Sequence, residues 1–174
     1  MAKVMVKPTG REAPFRDGEL IVSKTDLKGR ITYCNDVFLR VAGFEENELL
    51  GAPHSIIRHP DMPRAVFKLL WDTISAGNEI FAYVINMAKN GDHYWVFAHV
   101  TPSFDSAGKI VSYHSNRRKP RAEAVTAAAG LYKHLKSIED APSNRKDGMQ
   151  AAYEEVLSIL AKKEIGYDRF VLSL

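Results

Sequence analysis

A short segment bounded by prolines carries the side chains best suited to chemistry. Within the stretch PHSIIRHPDMP, Arg58, His59 and Asp61 lie within four positions, and two prolines restrict the backbone around them. A guanidinium has five donors and an imidazole can donate or accept, so this cluster could hold a pyrophosphate, a carbonyl or a carboxylate. Asp61 could orient either cation, or it could instead cap the helix predicted to follow.

Two aromatic residues and two amides are further candidates for ligand contact. Trp71 and Phe67 lie one turn apart on the next helical pattern, where they could belong to the core or form a stacking wall for a planar ring. Asn35 could cap a helix and Asn86 could simply end a strand. Either amide could instead bind the edge of a planar cofactor, where hydrogen bonds tune its electronics.

Most metal and catalytic sites are disfavoured by what the sequence lacks. The six histidines have no spacing typical of a structural metal site, although a haem needs only one axial histidine and stays possible. No nucleophile elbow, phosphate loop, dinucleotide fingerprint or zinc-protease motif occurs in the sequence. The chain is therefore predicted not to be an enzyme.

Composition and charge indicate an ordinary globular protein. The chain has 174 residues, 45% of them hydrophobic and 26% charged, with a net charge of +3, so nucleic acid is not an expected partner. The basic run 116–121 is interpreted as a solvated junction between a strand and a helix. Cys34 is the only cysteine, which fits a reducing compartment. Residues 1–7 have no apolar core of the signal-peptide type, and no apolar run approaches the roughly 20 residues that a membrane span needs. We therefore expect a cytoplasmic protein without a membrane span.

The order of predicted elements indicates an α+β domain. Two strands come first, several short helices follow, and three strands complete one five-stranded antiparallel sheet with the helices over one face. Such a sheet can enclose a ligand-sized cavity. Asn90-Gly91 predicts a type I′ hairpin turn, and the apolar run 80–85 predicts a strand covered on both faces. The predicted divisions are an N-terminal arm at 1–18, the α+β domain at 19–118 and a helical extension at 119–174.

The extension is predicted to be a helical hairpin. Apolar residues recur at helical spacing over 121–138 and again over 146–164, with a helix-breaking PSN segment between them. These stripes could pack on each other, on the outer face of the sheet or on a partner. The final residues, 167–174, are too apolar to lack a docking surface.

The motifs resemble those of the PAS domain of bacterial aerotaxis receptors. The resemblance covers roughly residues 20–135, and it includes the segments SKTDL, VAGF, RHPDMP and KNGDHYWV together with Trp71. Such domains bind FAD without a covalent bond and read the redox state of electron transport. The resemblance implies that the positions associated with flavin binding are Arg58, His59, Asp61, Trp71, Asn35, Phe67 and Asn86.

The resemblance implies a redox or energy-state sensor that signals through its flanking helices to a separate chemotaxis-type transducer, as a homodimer or heterodimer. One departure keeps alternatives open, because Ile80 stands where the family usually has a tryptophan. The alternatives are a haem-binding gas sensor and a cofactor-free dimerisation module whose cavity is filled by Ile80, Phe81 and Tyr83. Cys34 is predicted on a strand, outside the helical segment where blue-light flavin sensors place their reactive cysteine, so light-driven thioether chemistry is not expected.

Overall fold

The computed structural model describes residues 6–174, so residues 1–5 of the predicted arm lie outside the described part of the chain. The chain forms five strands, six α-helices and one short 3-10 helix within that range. In chain order they are β1 (Ile21–Thr25), β2 (Ile31–Cys34), α1 (Asp36–Ala42), α2 (Glu46–Leu49), the 3-10 helix (His54–Ile57), α3 (Arg64–Ser75), β3 (Ile80–Met87), β4 (His93–Phe104), β5 (Ile110–Arg118), α4 (Ala122–Asp140), α5 (Arg145–Lys163) and α6 (Tyr167–Leu172).

The strands form one antiparallel sheet in the order β2-β1-β5-β4-β3, which confirms the predicted α+β architecture. Side chains alternate between the two faces, as the pleat requires. In β4, Tyr94, Val96 and Ala98 are buried on the inner face, whereas Trp95 and Phe97 lie on the outer face. The helices α1, α2 and α3 and the 3-10 helix cover the inner face.

Local sequence sets the limits of the inner helices. Asn35 caps α1, since its side-chain oxygen accepts a hydrogen bond from the Phe38 amide, and Gly43 ends that helix with a φ of 69°. The helix α3 begins at Arg64, three residues after Asp61, so Asp61 is not its cap. The reason is steric, because a proline disfavours helical dihedrals in the residue before it, and Met62 precedes Pro63.

The hairpin between β3 and β4 differs from the predicted type I′ turn. Only Gly91 has a positive φ, of 93°, and Asn90 has none. The Gly91 amide donates to the Ala88 carbonyl, and the Ala88 amide donates to the Asp92 carbonyl. This is a three-residue loop closed by a glycine bulge. A side chain on Gly91 would collide with the Lys7 carbonyl, so the N-terminal arm also requires glycine there.

The N-terminal arm packs beside this hairpin. The Ala13 amide donates to the His93 carbonyl at 2.7 Å, and the His93 amide donates to the Arg11 carbonyl at 2.8 Å. Phe15 is buried in the main core. The described part of the arm thus extends the sheet at the start of β4.

The C-terminal residues form the predicted helical hairpin, and α4 runs across the free edge of β3. The Tyr132 hydroxyl donates to the Tyr83 carbonyl on that edge. On the outer face, α4 and α6 together cover Tyr83, through Ala128 and Val171 among others. The prediction that β3 is covered on both faces is therefore confirmed, and the apolar C-terminus docks as a helix that the sequence did not predict.

Gly148 of α5 lies directly against the Glu139 backbone of α4, and this contact gives a test of the packing. A methyl group there would overlap the Glu139 carbonyl oxygen. We expect Gly148→Ala to lower the free energy of unfolding by about 1–3 kcal/mol in denaturant titrations, because the helices must separate. Gly130→Ala is the matched control, since its methyl group would meet no atom within 4 Å and alanine favours a helix by up to about 1 kcal/mol. Equal effects of the two substitutions would contradict the close packing of α4 and α5.

Candidate functional site

A cavity of about 340 Å³ lies between the inner face of the sheet and the layer formed by α3 and the 3-10 helix. Its size is within the range of small-molecule sites. One wall comes from the central strands and the opposite wall from α3, and both are mainly apolar. The apolar lining residues are Ile57, Phe67, Leu70, Trp71, Ile74, Val84, Ala98, Val100 and Tyr113.

Four of the predicted site residues line this cavity: Arg58, Phe67, Trp71 and Asn86. The Arg58 guanidinium lies over the Phe67 ring, with its central carbon 4.0 Å from the ring centroid. The Arg58 backbone also pairs with Asn86 at the edge of β3. The proline-bounded segment therefore completes the β3 edge and brings its arginine to the cavity.

Trp71 closes one end of the cavity against the turn between β1 and β2. A methyl group on Gly29 would lie only 3.0 Å from two atoms of the indole, so the ring rests directly on the glycine backbone. The indole also meets the Tyr113 ring edge-on, with centroids 5.6 Å apart. Glycine is needed at position 29 both for this contact and for its φ of 74°.

The structure does not place the other three predicted residues on the cavity lining. Asn35 uses its side chain on backbone groups, accepting from the Val22 and Phe38 amides and donating to the Leu20 carbonyl. His59 is buried and accepts from the Asp61 amide at 3.1 Å. The Asp61 side chain is 79% exposed. Here these residues shape the segments that carry the lining side chains.

Arg117 is the principal lining residue that sequence reasoning missed. It lies within the basic run interpreted as a solvated junction, yet it is only 2% exposed, whereas Arg118 is exposed. Strand alternation could have revealed it, since Arg117 shares the inner face with Tyr113 and Ser115. Its Nη2 donates to the Ser23 hydroxyl at 2.7 Å, and its guanidinium lies 4.4 Å from the Phe38 centroid.

The Arg117 charge is not neutralised within residues 6–174. The Nε and Nη1 atoms are buried without a hydrogen-bond partner in that range, and no carboxylate there forms an ion pair with the guanidinium. Burial lowers the pKa of Arg117 to about 10, so the group stays protonated at neutral pH. A buried cation without a counter-charge costs several kcal/mol, on the order of the penalty for one desolvated ion.

Ser23 and His54 extend this arrangement along the cavity wall. A guanidinium cannot accept a hydrogen bond, so the Ser23 oxygen accepts from Arg117 and its one hydrogen is left for His54. The Ser23 Oγ lies 3.1 Å from the His54 Nε2, which must then be the acceptor. The His54 proton is therefore on Nδ1. Burial, followed by repulsion from Arg117 and Arg58, lowers the pKa of His54 to about 3.

Two further cavity residues hold buried donors that lack a partner within the described range. They are the Arg58 Nε and the Asn86 Nδ2. Together with Arg117, the cavity presents cationic and amide N–H groups beside apolar walls. Since unmet buried donors are costly, this combination suits a flat, apolar ligand with acceptor or anionic atoms on its rim.

Comparison with known proteins identifies the fold. A family profile described as "PAS fold" matches residues 31–117, half of the chain. The chain belongs to the PAS family. This PAS domain is 42% identical to the aerotaxis receptor of Escherichia coli (strain K12) over 127 residues, which are 73% of this chain and 25% of the receptor. The resemblance predicted from the motifs is thereby confirmed.

More distant relatives support the same assignment. The nitrogen fixation regulatory protein of Klebsiella pneumoniae is 28% identical over 123 residues, 71% of this chain and 25% of that protein. The light-state structure of the blue-light photoreceptor Aureochrome1 LOV superposes with a TM-score of 0.56 and 25% identity, covering 68% of this chain and 91% of that one. The chain spans about a quarter of the length of these curated relatives.

The geometry of this PAS domain bears on the alternatives. Two histidines line the cavity, and both have polar neighbours: His54 accepts from Ser23, and the His114 Nε2 lies 3.2 Å from the Asn116 Oδ1. Neither arrangement specifically favours haem. Phe81 and Tyr83 lie on the outer face, where Phe81 stacks on His99 at 4.3 Å. Neither these two residues nor Ile80 lines the cavity, so they do not fill it.

Residues 6–174 contain neither a metal-binding cluster nor a membrane-spanning helix. No group of three or more histidine, cysteine, aspartate or glutamate side chains in that range could hold a metal ion. No helix in the same range is long and apolar enough to cross a membrane.

The depressed pKa of His54 predicts acid sensitivity. The unfolded ring takes up its proton near pH 6.5 and the folded ring only near pH 3, so the unfolded state binds more protons between these values. Stability is therefore complete above pH 6.5 and is lost as the pH falls below it. We expect the wild type to lose about 1–2 kcal/mol from this group between pH 8 and pH 5. This expected loss is set below the full effect of the pKa shift because the His54 ring is partly exposed.

Substitution of His54 separates this contribution from that of other groups. In His54→Gln the amide oxygen can still accept from Ser23 but cannot titrate, so the loss between pH 8 and pH 5 should shrink by that amount in denaturant titrations. His134→Gln, at an exposed histidine paired with Glu155, is the control for the substitution itself and should leave the loss assigned to His54 in place. A titration of the His54 ring by NMR with a midpoint near 6.5 would contradict the assignment.

Proposed function

We propose that this PAS domain is a non-enzymatic cytoplasmic redox sensor that binds FAD in the cavity between α3 and the sheet. The observation that carries the proposal is the buried Arg117, whose unmatched charge and free N–H groups lie beside apolar walls. The similarity to the aerotaxis receptor of Escherichia coli supports a sensing role over catalysis.

The isoalloxazine ring of a flavin meets the requirements of this cavity. The ring is flat and largely apolar, and oxygen and nitrogen acceptors lie along one edge. Val84, Val100 and Leu70 can contact its faces, while Arg117 and the Asn86 amide can donate to its polar edge. Bound FAD would supply reversible electron transfer, which the side chains of this chain do not provide.

The remaining predicted residues take different roles in this proposal. Phe67 and Trp71 pack against the ligand, and Arg58 carries a second positive charge stacked on Phe67. His59 and Asp61 support the turn that presents Arg58, through the hydrogen bond from the Asp61 amide to the His59 ring. Asn35 fixes the start of α1. Direct cofactor binding by His59, Asp61 and Asn35 stays a prediction.

The buried charge gives the cavity its sensitivity. A unit charge interacts with a neighbouring charge by about 4 kcal/mol at 4 Å when the effective dielectric constant is near 20. Arg117 therefore responds to any change in the charge of the ring next to it. Its hydrogen bond to Ser23, and through Ser23 to His54, connects that response to β1 and the 3-10 helix.

We propose that the output passes through the C-terminal helices to a separate chemotaxis-type transducer, with this chain acting as a homodimer or heterodimer. Support comes from the packing of these helices on the cavity wall, because Glu139 of α4 binds the Arg64 side chain and the Ala65 amide of α3. A nucleic-acid partner and a direct membrane span are not part of the proposal.

The visible absorption of the purified 174-residue chain tests ligand identity. We expect flavin bands in the protein as isolated, or after incubation with FAD followed by desalting. Release of the ligand by heat should return intact FAD on chromatography. A protein that shows no flavin bands after either treatment would refute the proposal, and a Soret band would favour haem.

Replacement of Arg117 tests the site itself. Arg117→Met keeps most of the side-chain volume but removes the charge, so the ligand-free protein should gain about 1–3 kcal/mol of stability because the cost of burying this uncompensated ion is removed. The same change should weaken FAD binding at least about tenfold, since a charge-assisted hydrogen bond is lost. Fluorescence titration with FAD and thermal unfolding measure the two effects.

Arg118→Met is the matched control, because this neighbouring arginine is exposed on the same strand. It should change neither quantity appreciably. If Arg117→Met lowers stability and leaves FAD affinity at the wild-type value, then Arg117 is a structural residue and the proposed site is incorrect.

A further inference from the structure

A glutamate on the helical extension is completely buried against the sensor domain. Glu139 lies near the end of α4 and is only 1% exposed. Its Oε1 accepts a hydrogen bond from the Ala65 amide at 2.7 Å, and its Oε2 accepts from the Arg64 Nε at 3.2 Å. Both partners lie in the first turn of α3, which is far away in sequence.

The first turn of α3 depends on this distant carboxylate. The residue before the helix is Pro63, which offers no side-chain acceptor for the free amides of the first turn. Glu139 provides an acceptor and a negative charge at the positive end of the helix dipole. The helix that forms one wall of the cavity is thus capped by the extension instead of by its own sequence.

The same contact reaches the cavity by two routes. Three and seven residues after Arg64, α3 presents Phe67 and Trp71 to the cavity. A helix of 12 residues transmits a shift of its first turn along its length. In addition, Glu139 opposes the lowering of the Arg58 pKa that burial causes, so its charge acts on a lining residue.

The hairpin is also attached to Glu139 from the other side. The Arg64 Nη1 donates to the Arg145 carbonyl at the start of α5, at 2.7 Å. Gly148 of α5 packs directly on the Glu139 backbone. The Lys68 ammonium of α3 lies 4.7 Å from the centroid of the Tyr153 ring of α5. The start of α3 and the turn between α4 and α5 therefore form one packed unit.

We infer that Glu139 is a positioning residue that couples the ligand state of the cavity to the α4–α5 hairpin through the first turn of α3. This inference deepens the proposed function and rests on it for the nature of the ligand. Coupling of this kind is reciprocal: whatever loosens the hairpin weakens ligand binding, and ligand binding protects the hairpin by the same factor. The helical extension is then part of the binding unit.

The test uses full-length wild type, Glu139→Gln and Glu139→Ala, with hydrogen exchange measured in the absence and presence of FAD. Glu139→Gln keeps an acceptor for the Ala65 amide and loses the charge facing Arg64, whereas Glu139→Ala loses both. Glu155→Ala is the matched control, because Glu155 lies on the same hairpin and its partner among residues 6–174 is the exposed His134.

Without any ligand, Glu139→Ala should raise the exchange rate of the α3 first-turn amides about tenfold, with a smaller rise in Glu139→Gln and none in Glu155→Ala. With FAD, the dissociation constant should rise about fivefold in Glu139→Ala, and the FAD-dependent protection of residues 136–150 should be lost. If Glu139→Gln shows only part of the rise in the exchange rate and in the dissociation constant, then the hydrogen bond contributes to the coupling separately from the charge.

Two results would overturn the coupling. One is unchanged exchange in the first turn of α3 in ligand-free Glu139→Ala, and this result does not depend on which ligand binds. The other is FAD-dependent protection of the hairpin that persists in Glu139→Ala with wild-type affinity. Failure of the wild type to bind FAD would instead refute the proposed function, while the ligand-free exchange would still decide whether Glu139 holds α3.

Discussion

A single buried charge constrains the rest of this structure. Arg117 lies beneath the inner helices with one hydrogen bond, to Ser23, and without a carboxylate partner in the described range. The total stability of a protein is about 5–15 kcal/mol, so the free-energy cost of an unpaired buried ion is kept only when another interaction offsets it. The nearby donors of Arg58 and Asn86 lack partners as well, so the ligand-free cavity is preorganised for acceptor atoms.

The exposed edge of β3 explains why the helical extension belongs to the sensor. An unpaired strand edge offers free amides and carbonyls to any passing strand. In this chain Arg58 pairs with one part of the edge at Asn86, and the Tyr132 hydroxyl binds the carbonyl of Tyr83. The helix that covers the edge then reaches α3 with Glu139. Protection of the sheet and capping of the cavity wall are therefore performed by the same helix, and neither could be removed without disturbing the other.

The sequence predicted local structure well and long-range polar contacts poorly. Hydrophobic periodicity gave the five strands, the two long helices of the extension and the burial of β3, because these depend on neighbours along the chain. The turn at Asn90 was mispredicted, since two- and three-residue loops share the same residue preferences and the arm at Lys7 adds a constraint from elsewhere. Arg117 was read as solvated because a run of basic residues is usually exposed, although its alternation with Tyr113 places it inside. Glu139 gave no local signal at all, since its partners are 74 and 75 residues away.

Similarity to light-sensing domains does not by itself bring their chemistry. The Aureochrome1 LOV structure shares the fold, but the only cysteine of this chain, Cys34, lies on β2 and does not line the cavity. Burial raises the pKa of that thiol, so it stays protonated and unreactive at neutral pH. The cavity lining includes the cations Arg58 and Arg117 and the Asn86 amide, and it includes no cysteine. Similarity of fold alone therefore does not assign photochemistry to this chain.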